Sequence, residues 1–126
     1  MDDVRVTRRV ASRYLSDAGY RVFEAESAQE ALELLDILYG QVDLVLTDVV
    51  IPRFDGVRLG REVGRSWPGI RILYMSAYSG RVLGEYGMDT ADMDFIAKPF
   101  TETVLLAKIA EVMKRPKLPA TDMVGD

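Results

Sequence analysis

Residues 43–56 read DLVLTDVVIPRFDG, and this stretch indicates both the fold and a possible site. Val42 to Thr47 is apolar on both faces, which is typical of a central parallel strand. The apolar run stops at the carboxylate of Asp48 and then resumes over residues 49–51. A charged group between two apolar clusters is costly unless it has a use or a compensating partner. Asp48 is therefore the first candidate functional residue.

Helical and strand patterns alternate along the rest of the chain. Apolar residues recur at helical spacing in several segments, and Ser27 with Glu30 forms a capping box, while Thr101 caps the final helix. The predicted helices cover residues 5–18, 28–38, 57–65, 79–92 and 102–115, and the predicted strands cover 20–24, 42–47, 70–75 and 95–97. This alternation predicts an α/β fold with a parallel sheet.

Composition limits the classes of function. The chain has 126 residues, a net charge of -4 and a pI near 4.9, which argue for one domain and against nucleic acid as a direct partner. No apolar run approaches the roughly 18 residues of a membrane span, so no membrane contact is expected. The chain has no cysteine and no histidine, which excludes disulfides, thiolate metal sites and a phosphohistidine of its own. Residues 1–115 are expected to form the domain, and 116–126 a tail or linker.

Three polar residues follow three different predicted strands. Asp48, Ser76 and Lys98 each come directly after or close to the end of a strand. Because ligands of open α/β sheets bind at the carboxyl ends of the strands, an acid, a hydroxyl and an ammonium are expected at one edge. Each residue alone has an ordinary explanation as a turn residue or a solvated charge. The combination is what points to function.

Four short motifs occur in the order and spacing of one known family. They are Asp2-Asp3, Asp48 to Pro52 with Asp55-Gly56, Ser76-Ala77, and Lys98-Pro99-Phe100. From Asp2 to about Arg115 the chain resembles a bacterial response-regulator receiver domain of the chemotaxis-regulator type. The resemblance implies a flavodoxin-like, doubly wound parallel sheet. The run from Leu73 to Tyr78 resembles receivers of hybrid sensor kinases, so the chain is either a stand-alone receiver or a piece of a larger kinase.

The resemblance implies a role for each residue at the strand ends. Asp48 would be the phosphorylated residue, with a carboxylate oxygen as the nucleophile. The Lys98 ammonium would hold one phosphoryl oxygen. The Ser76 hydroxyl and the Ala77 amide would together hold another. The Lys98–Pro99 bond would be cis.

A magnesium site is also implied by the resemblance. The ligands would be the carboxylates of Asp3 and Asp48 and the backbone carbonyl of Val50, with Asp2 acting through water. Mg²⁺ suits such a set because it prefers hard oxygen ligands and keeps several waters.

In the family, signal output couples the Ser/Thr residue to an aromatic residue three positions before the lysine. In this chain these residues are Ser76 and Phe95. Phe95 has no hydroxyl, so a switch here would work through burial, and simple core packing explains Phe95 equally well. The expected partner is a histidine kinase or phosphotransfer protein in the cytoplasm. The chain would be a signalling domain and not an enzyme beyond its own phosphorylation and dephosphorylation.

Two alternatives belong to other functional classes. One is a magnesium-dependent phosphatase with Asp48 as nucleophile, but phosphatases of the haloacid dehalogenase type need an acid two residues later, where this chain has Val50. The other is a receiver-like protein-interaction module that no longer binds phosphate.

The family's first strand has no counterpart in this sequence. That strand would precede the acidic pair and lie between the strands at 20–24 and 42–47, yet only Met1 precedes Asp2. Four strands and about five helices are therefore expected. The strand at 20–24 could close against the strand at 42–47, two copies could exchange segments, or the chain could be truncated. We expect truncation, with a segment-swapped homodimer as its consequence.

Overall fold

The computed structural model describes residues 3–49, 55–77 and 94–114, except for the side chains of 3–5, 7 and 55–57. This part of the chain contains four helices and three strands. The helices are α1 (Asp3–Asp17), α2 (Ala28–Ile37), α3 (Asp55–Ser66) and α4 (Glu102–Met113), and the strands are β1 (Leu44–Asp48), β2 (Arg71–Ser76) and β3 (Asp94–Ala97). The helix predicted over 79–92, the domain boundary at 115 and the tail at 116–126 lie outside the described residues.

The three strands form one parallel sheet in the order β1-β2-β3. Leu44 is paired with Arg71 at the start of β1, and Asp48 with Met75 at its end. Leu73 of β2 is paired with Asp94 of β3. All three strands therefore end at the same edge of the sheet, and the predicted α/β class with a parallel sheet is confirmed.

Helices cover both faces of the sheet. One face carries a core cluster that α1 and α4 share with the strands, including the fully buried Leu73 and Leu105. The other face carries a second cluster, with Leu35 from α2 and Leu59 and Val63 from α3. Clusters on both faces are the property of a doubly wound sheet, whose central strands are apolar on both sides.

The predicted helix ends are confirmed at three positions. The Ser27 hydroxyl accepts a hydrogen bond from the Glu30 amide at 3.1 Å, and the Thr101 hydroxyl accepts one from the Val104 amide at 3.2 Å. Gly19 follows α1 with a φ of 96°, in the left-handed region that glycine adopts without a steric penalty. These local signals fix where the helices begin and end.

The strand predicted over Tyr20–Glu24 is wrong. These residues are described and lie outside regular secondary structure, with Tyr20 43% and Phe23 50% exposed. Their alternating pattern is strand-like, but strand formation needs a neighbour that supplies hydrogen bonds. A cavity separates this segment from β1, so the segment has not closed against β1 either.

A close approach between α3 and β2 leads to the first prediction. A β-carbon at Gly60 would collide with the Tyr74 hydroxyl and lie 2.9 Å from its ring carbon Cζ. Tyr74 is buried and packs on Phe95, so its ring cannot move away freely. We expect Gly60→Ala to destabilise the protein by about 1–3 kcal/mol in a denaturant melt, because overpacking outweighs the helix propensity of alanine.

Gly64 provides the matched control on the same helix. A β-carbon there meets no atom within 4 Å, so Gly64→Ala should stabilise the protein by up to about 1 kcal/mol. Tyr74→Phe should reduce the cost of Gly60→Ala, because it removes the colliding hydroxyl. Equal effects of alanine at the two glycines would contradict the packing explanation.

Candidate functional site

The three predicted strand-end residues come together at the carboxyl edge of the sheet. Asp48 is the last residue of β1, Ser76 is the last residue of β2, and Lys98 directly follows β3. Asp48 and Ser76 are almost fully buried, at 5% and 3% exposure. The side chain of Lys98 is 16% exposed and therefore mostly buried.

Asp48 and Lys98 form an ion pair across the sheet. The Lys98 ammonium donates a hydrogen bond to Oδ2 of Asp48. The two residues are 50 positions apart in sequence, and the strand ends alone bring them together. A carboxylate this deeply buried needs such a partner, because an uncompensated buried charge is strongly destabilising. The ion pair with Lys98 therefore explains how the Asp48 charge is tolerated between two apolar clusters.

Backbone hydrogen bonds hold the edge in place. The Lys98 amide donates to the Ser76 carbonyl at 2.9 Å, and the Val49 amide donates to the Met75 carbonyl at 3.0 Å. The Lys98–Pro99 peptide bond is cis, as expected. Ala77, which follows Ser76, is exposed at this edge.

Thr47 is a residue of the site that the sequence reasoning missed. Its side chain is buried, and its hydroxyl donates to the backbone carbonyl of Asp48 at 3.2 Å. The signal was a hydroxyl residue directly before a strand-end acid, inside an otherwise apolar run. Thr47 therefore provides a hydrogen-bond donor for the backbone carbonyl at the end of β1.

Phe95 and Tyr74 form an aromatic pair next to the site. Their ring centroids are 5.5 Å apart with an interplanar angle of 34°. Phe95 is half-buried on β3, three residues before Lys98, and Tyr74 lies two residues before Ser76. Burial raises the pKa of the Tyr74 hydroxyl above its ordinary value of 10.0, and the positive charge of Arg61 partly opposes this shift.

The structure describes only part of the predicted metal site. Asp2 and Val50 lie outside the described residues, and Asp3 is described only as the first residue of α1. Within the described ranges, no three acidic residues cluster closely enough to hold a metal ion. The Asp48 carboxylate is the kind of hard oxygen donor that suits Mg²⁺. The predicted ligand set remains a prediction.

A comparison with models of known families assigns the chain to one of them. Residues 1–110 match the family model of the response regulator receiver domain. The chain belongs to this family. This receiver domain is thus a signalling domain of two-component systems, and the flavodoxin-like fold class predicted from the sequence is confirmed.

Curated relatives place similar receiver domains in two kinds of protein. The sensor kinase CckA of Brucella abortus is 34% identical over 115 residues, which are 91% of this chain and 12% of that protein. The response regulator MprA of Mycobacterium ulcerans is 33% identical over 118 residues, which are 94% of this chain and 50% of that protein. The receiver domain therefore spans half or less of the length of these relatives.

Solved structures agree with the fold. A response regulator from Thermotoga maritima superposes with a TM-score of 0.74 at 26% identity, covering 91% of this chain and 94% of that chain. The chemotaxis protein CheY4 of Vibrio cholerae superposes with a TM-score of 0.66 at 25% identity, covering 88% of this chain and 92% of that chain. None of the described helices of the receiver domain is long and apolar enough to cross a membrane.

Proposed function

We propose that this receiver domain takes a phosphoryl group from a partner phosphohistidine onto the carboxylate of Asp48, with Mg²⁺ bound at the same edge. The observation that supports this most directly is the Asp48–Lys98 ion pair at the carboxyl edge of the sheet, with Ser76 between them on β2. The carboxylate is a nucleophile for phosphorus, and the ammonium and the hydroxyl are groups that can position a phosphoryl group and stabilise its charge.

The transfer forms an acyl phosphate on Asp48. A carboxylate oxygen attacks phosphorus, the phosphorus–nitrogen bond of the partner's phosphohistidine breaks, and its imidazole nitrogen keeps the electron pair and takes up a proton. Because the transferred group carries charge on its outer oxygens, catalysis is mostly positioning and charge stabilisation. The Lys98 ammonium would contact one outer oxygen, and the Ser76 hydroxyl with the Ala77 amide would contact another.

Asp3, Asp48 and the carbonyl of Val50 would hold Mg²⁺ at this edge, with Asp2 acting through water. When bound, the ion would neutralise charge on the acidic side chains and on the incoming phosphoryl group. The Lys98 ammonium supplies further positive charge next to Asp48.

A phosphoryl group on Asp48 would also change the surroundings of Ser76 and Phe95. Ser76 would turn its hydroxyl towards the new oxygens, and Phe95 would move in its contact with Tyr74. Support comes from the position of the Tyr74–Phe95 pair on the two strands that end at Ser76 and Lys98. An output protein that binds near Phe95 would then meet an altered surface.

The test is labelling with a small acyl phosphate donor, followed by intact mass. We expect one phosphate per chain in the presence of Mg²⁺, and none after addition of a chelator. Continuous hydrolysis of a phosphomonoester by the protein would favour the phosphatase alternative instead. Absence of labelling with a folded, Mg²⁺-supplied protein would favour the interaction module that no longer binds phosphate.

A further inference from the structure

The outer faces of α2 and α3 carry opposite charges. Both helices cover the same face of the sheet, where Leu35 of α2 packs in one cluster with Leu59 and Val63 of α3. Helix α2 has no basic residue, and its acids are all exposed: Glu30, Glu33 and Asp36. The arginines of α3 are exposed as well: Arg58, Arg61 and Arg65. An acidic helix face therefore lies beside a basic one.

The acids of α2 are not neutralised within the described part of the molecule. Glu30 and Asp36 make no ion pair with another described residue, and the Glu33 carboxylate accepts a hydrogen bond from the Gln29 side chain at 3.3 Å. The three acids follow one another at a spacing of three residues, at which like charges on a helix repel. The charge pattern of α2 therefore does not stabilise the single chain.

The end of α2 has a second unfavourable feature. The Tyr39 amide donates to the Asp36 carbonyl at 3.1 Å, and the Gly40 amide donates to the Leu35 carbonyl at 2.8 Å, so the position of Tyr39 is the one that glycine usually occupies after a helix. Tyr39 has a φ of 55°, in the left-handed region that costs a bulky residue free energy. Its side chain is 86% exposed, and that of Ile37 is 69% exposed. Strain of this kind, which gives the single chain no packing in return, indicates a surface used for binding.

We propose that a second copy of this chain binds this face, with α2 of each copy packed on α3 of the other. Helix α2 leads into β1 and α3 leads into β2, so both helices run in the same direction along the parallel sheet. A two-fold axis parallel to the helices places α2 on α3 at two equivalent contacts. An axis across the helices would place acids on acids, so the charges select the first arrangement. A two-fold interface is closed and forms a dimer, not a fibre.

The opposite charges would meet at matching heights along the helices. Glu33 is five residues after the start of α2, and Arg61 is six residues after the start of α3. Asp36 is eight residues after the start of α2, and Arg65 is ten residues after that of α3. At about 1.5 Å per residue these differences amount to about 3 Å or less, which a flexible arginine side chain spans. Tyr39 would lie beside Arg65 of the second copy, whose guanidinium can stack on its ring.

The size of the face predicts a weak dimer. The 12 residues of α3 make a helix about 18 Å long, so two such helices side by side offer less area than the interface of a stable dimer. We expect a dissociation constant in the micromolar range. Because the contacts are charged and lie at the surface, the dimer should weaken by about tenfold or more between low salt and about 0.5 M salt.

The test uses two charge-reversed variants of the whole chain, studied by light scattering over a range of concentrations. One variant is Glu33→Lys with Asp36→Lys, and the other is Arg61→Glu with Arg65→Glu. Each variant alone brings like charges together at both contacts, so we expect its dissociation constant to rise by about tenfold or more. An equal mixture should form a dimer again, because the two reversed helices then face each other and so do the two unchanged ones.

Two further variants serve as controls. Asp17→Lys with Glu102→Lys changes the net charge by the same amount at exposed positions of α1 and α4, on the other face of the sheet, and should dimerise like the wild-type chain. Tyr39→Gly should raise the melting temperature, measured at a concentration at which the chain is monomeric, because glycine removes the backbone strain. The same substitution should weaken the dimer, and this loss could not result from unfolding.

Each contrary outcome overturns the proposal. A chain that stays monomeric at millimolar concentration in low salt would show that this face does not bind a second copy. A dimer that survives both charge reversals would show that another face, or an exchange of segments, holds the two copies together. A mixture that stays monomeric, or an equal loss of the dimer in the α1 and α4 control, would show that α2 does not meet α3. None of these readouts depends on phosphorylation.

Discussion

Asp48→Asn should abolish phosphorylation of this receiver domain by a small acyl phosphate donor. The amide of asparagine has nearly the shape of the carboxylate but lacks its negative charge, so it cannot act as the nucleophile towards phosphorus. No other described acid shares the position of Asp48, buried at a strand end and paired with Lys98. Intact mass of the variant, incubated with donor and Mg²⁺, should show only the unmodified chain.

Asp43→Asn is the matched control for this experiment. Asp43 lies just before the same strand, at its amino end, and its side chain is exposed. Its variant should therefore be labelled as fully as the wild-type protein. A phosphate that remains on the Asp48→Asn chain would refute the assignment, and peptide mapping would identify the residue that carries it.

The sequence predicted the grouping of three polar residues at one sheet edge better than it predicted the strands. Asp48, Ser76 and Lys98 were expected at one edge because each follows a strand, and parallel strands of one sheet end together. This inference needs only the order of the elements, so errors of a residue or two at strand ends do not affect it. The helix caps at Ser27 and Thr101 were equally predictable, because a capping hydrogen bond spans only three residues.

The segment at 20–24 shows what a local pattern cannot decide. Its alternation of apolar and polar residues is that of a half-buried strand, yet strand pairing depends on a neighbour elsewhere in the chain. The cavity between β1 and the 20–24 segment has the same cause, because this segment does not pair with β1. Arg8 still connects α1 to the end of this segment through Glu24 and Glu26, so the segment is held beside α1 without being paired to β1.

Lys98→Met should slow phosphorylation on the order of 100-fold, which is typical for removal of one group that stabilises charge in a transition state. Methionine keeps an unbranched side chain of similar length and removes the ammonium that contacts Asp48. Rates of labelling with a small phosphodonor and Mg²⁺ measure the effect. Lys108→Met is the control, because Lys108 also pairs with an acid, Glu111 at 3.6 Å, but on the surface of α4. Lys108→Met should leave the labelling rate nearly unchanged. It should lower the free energy of unfolding by at most about 1 kcal/mol.

The same substitution separates function from folding when it is combined with Asp48→Asn. Lys98→Met alone removes the ammonium partner of the buried Asp48 carboxylate, so a loss of stability of about 3–5 kcal/mol is expected for this mostly buried pair. In the double variant residue 48 no longer carries the negative charge that the Lys98 ammonium offsets. Denaturant melts should therefore show that most of the lost stability is recovered, whereas labelling should stay absent. If the double variant were as unstable as Lys98→Met alone, Lys98 would be acting through packing of its side chain and not through its charge.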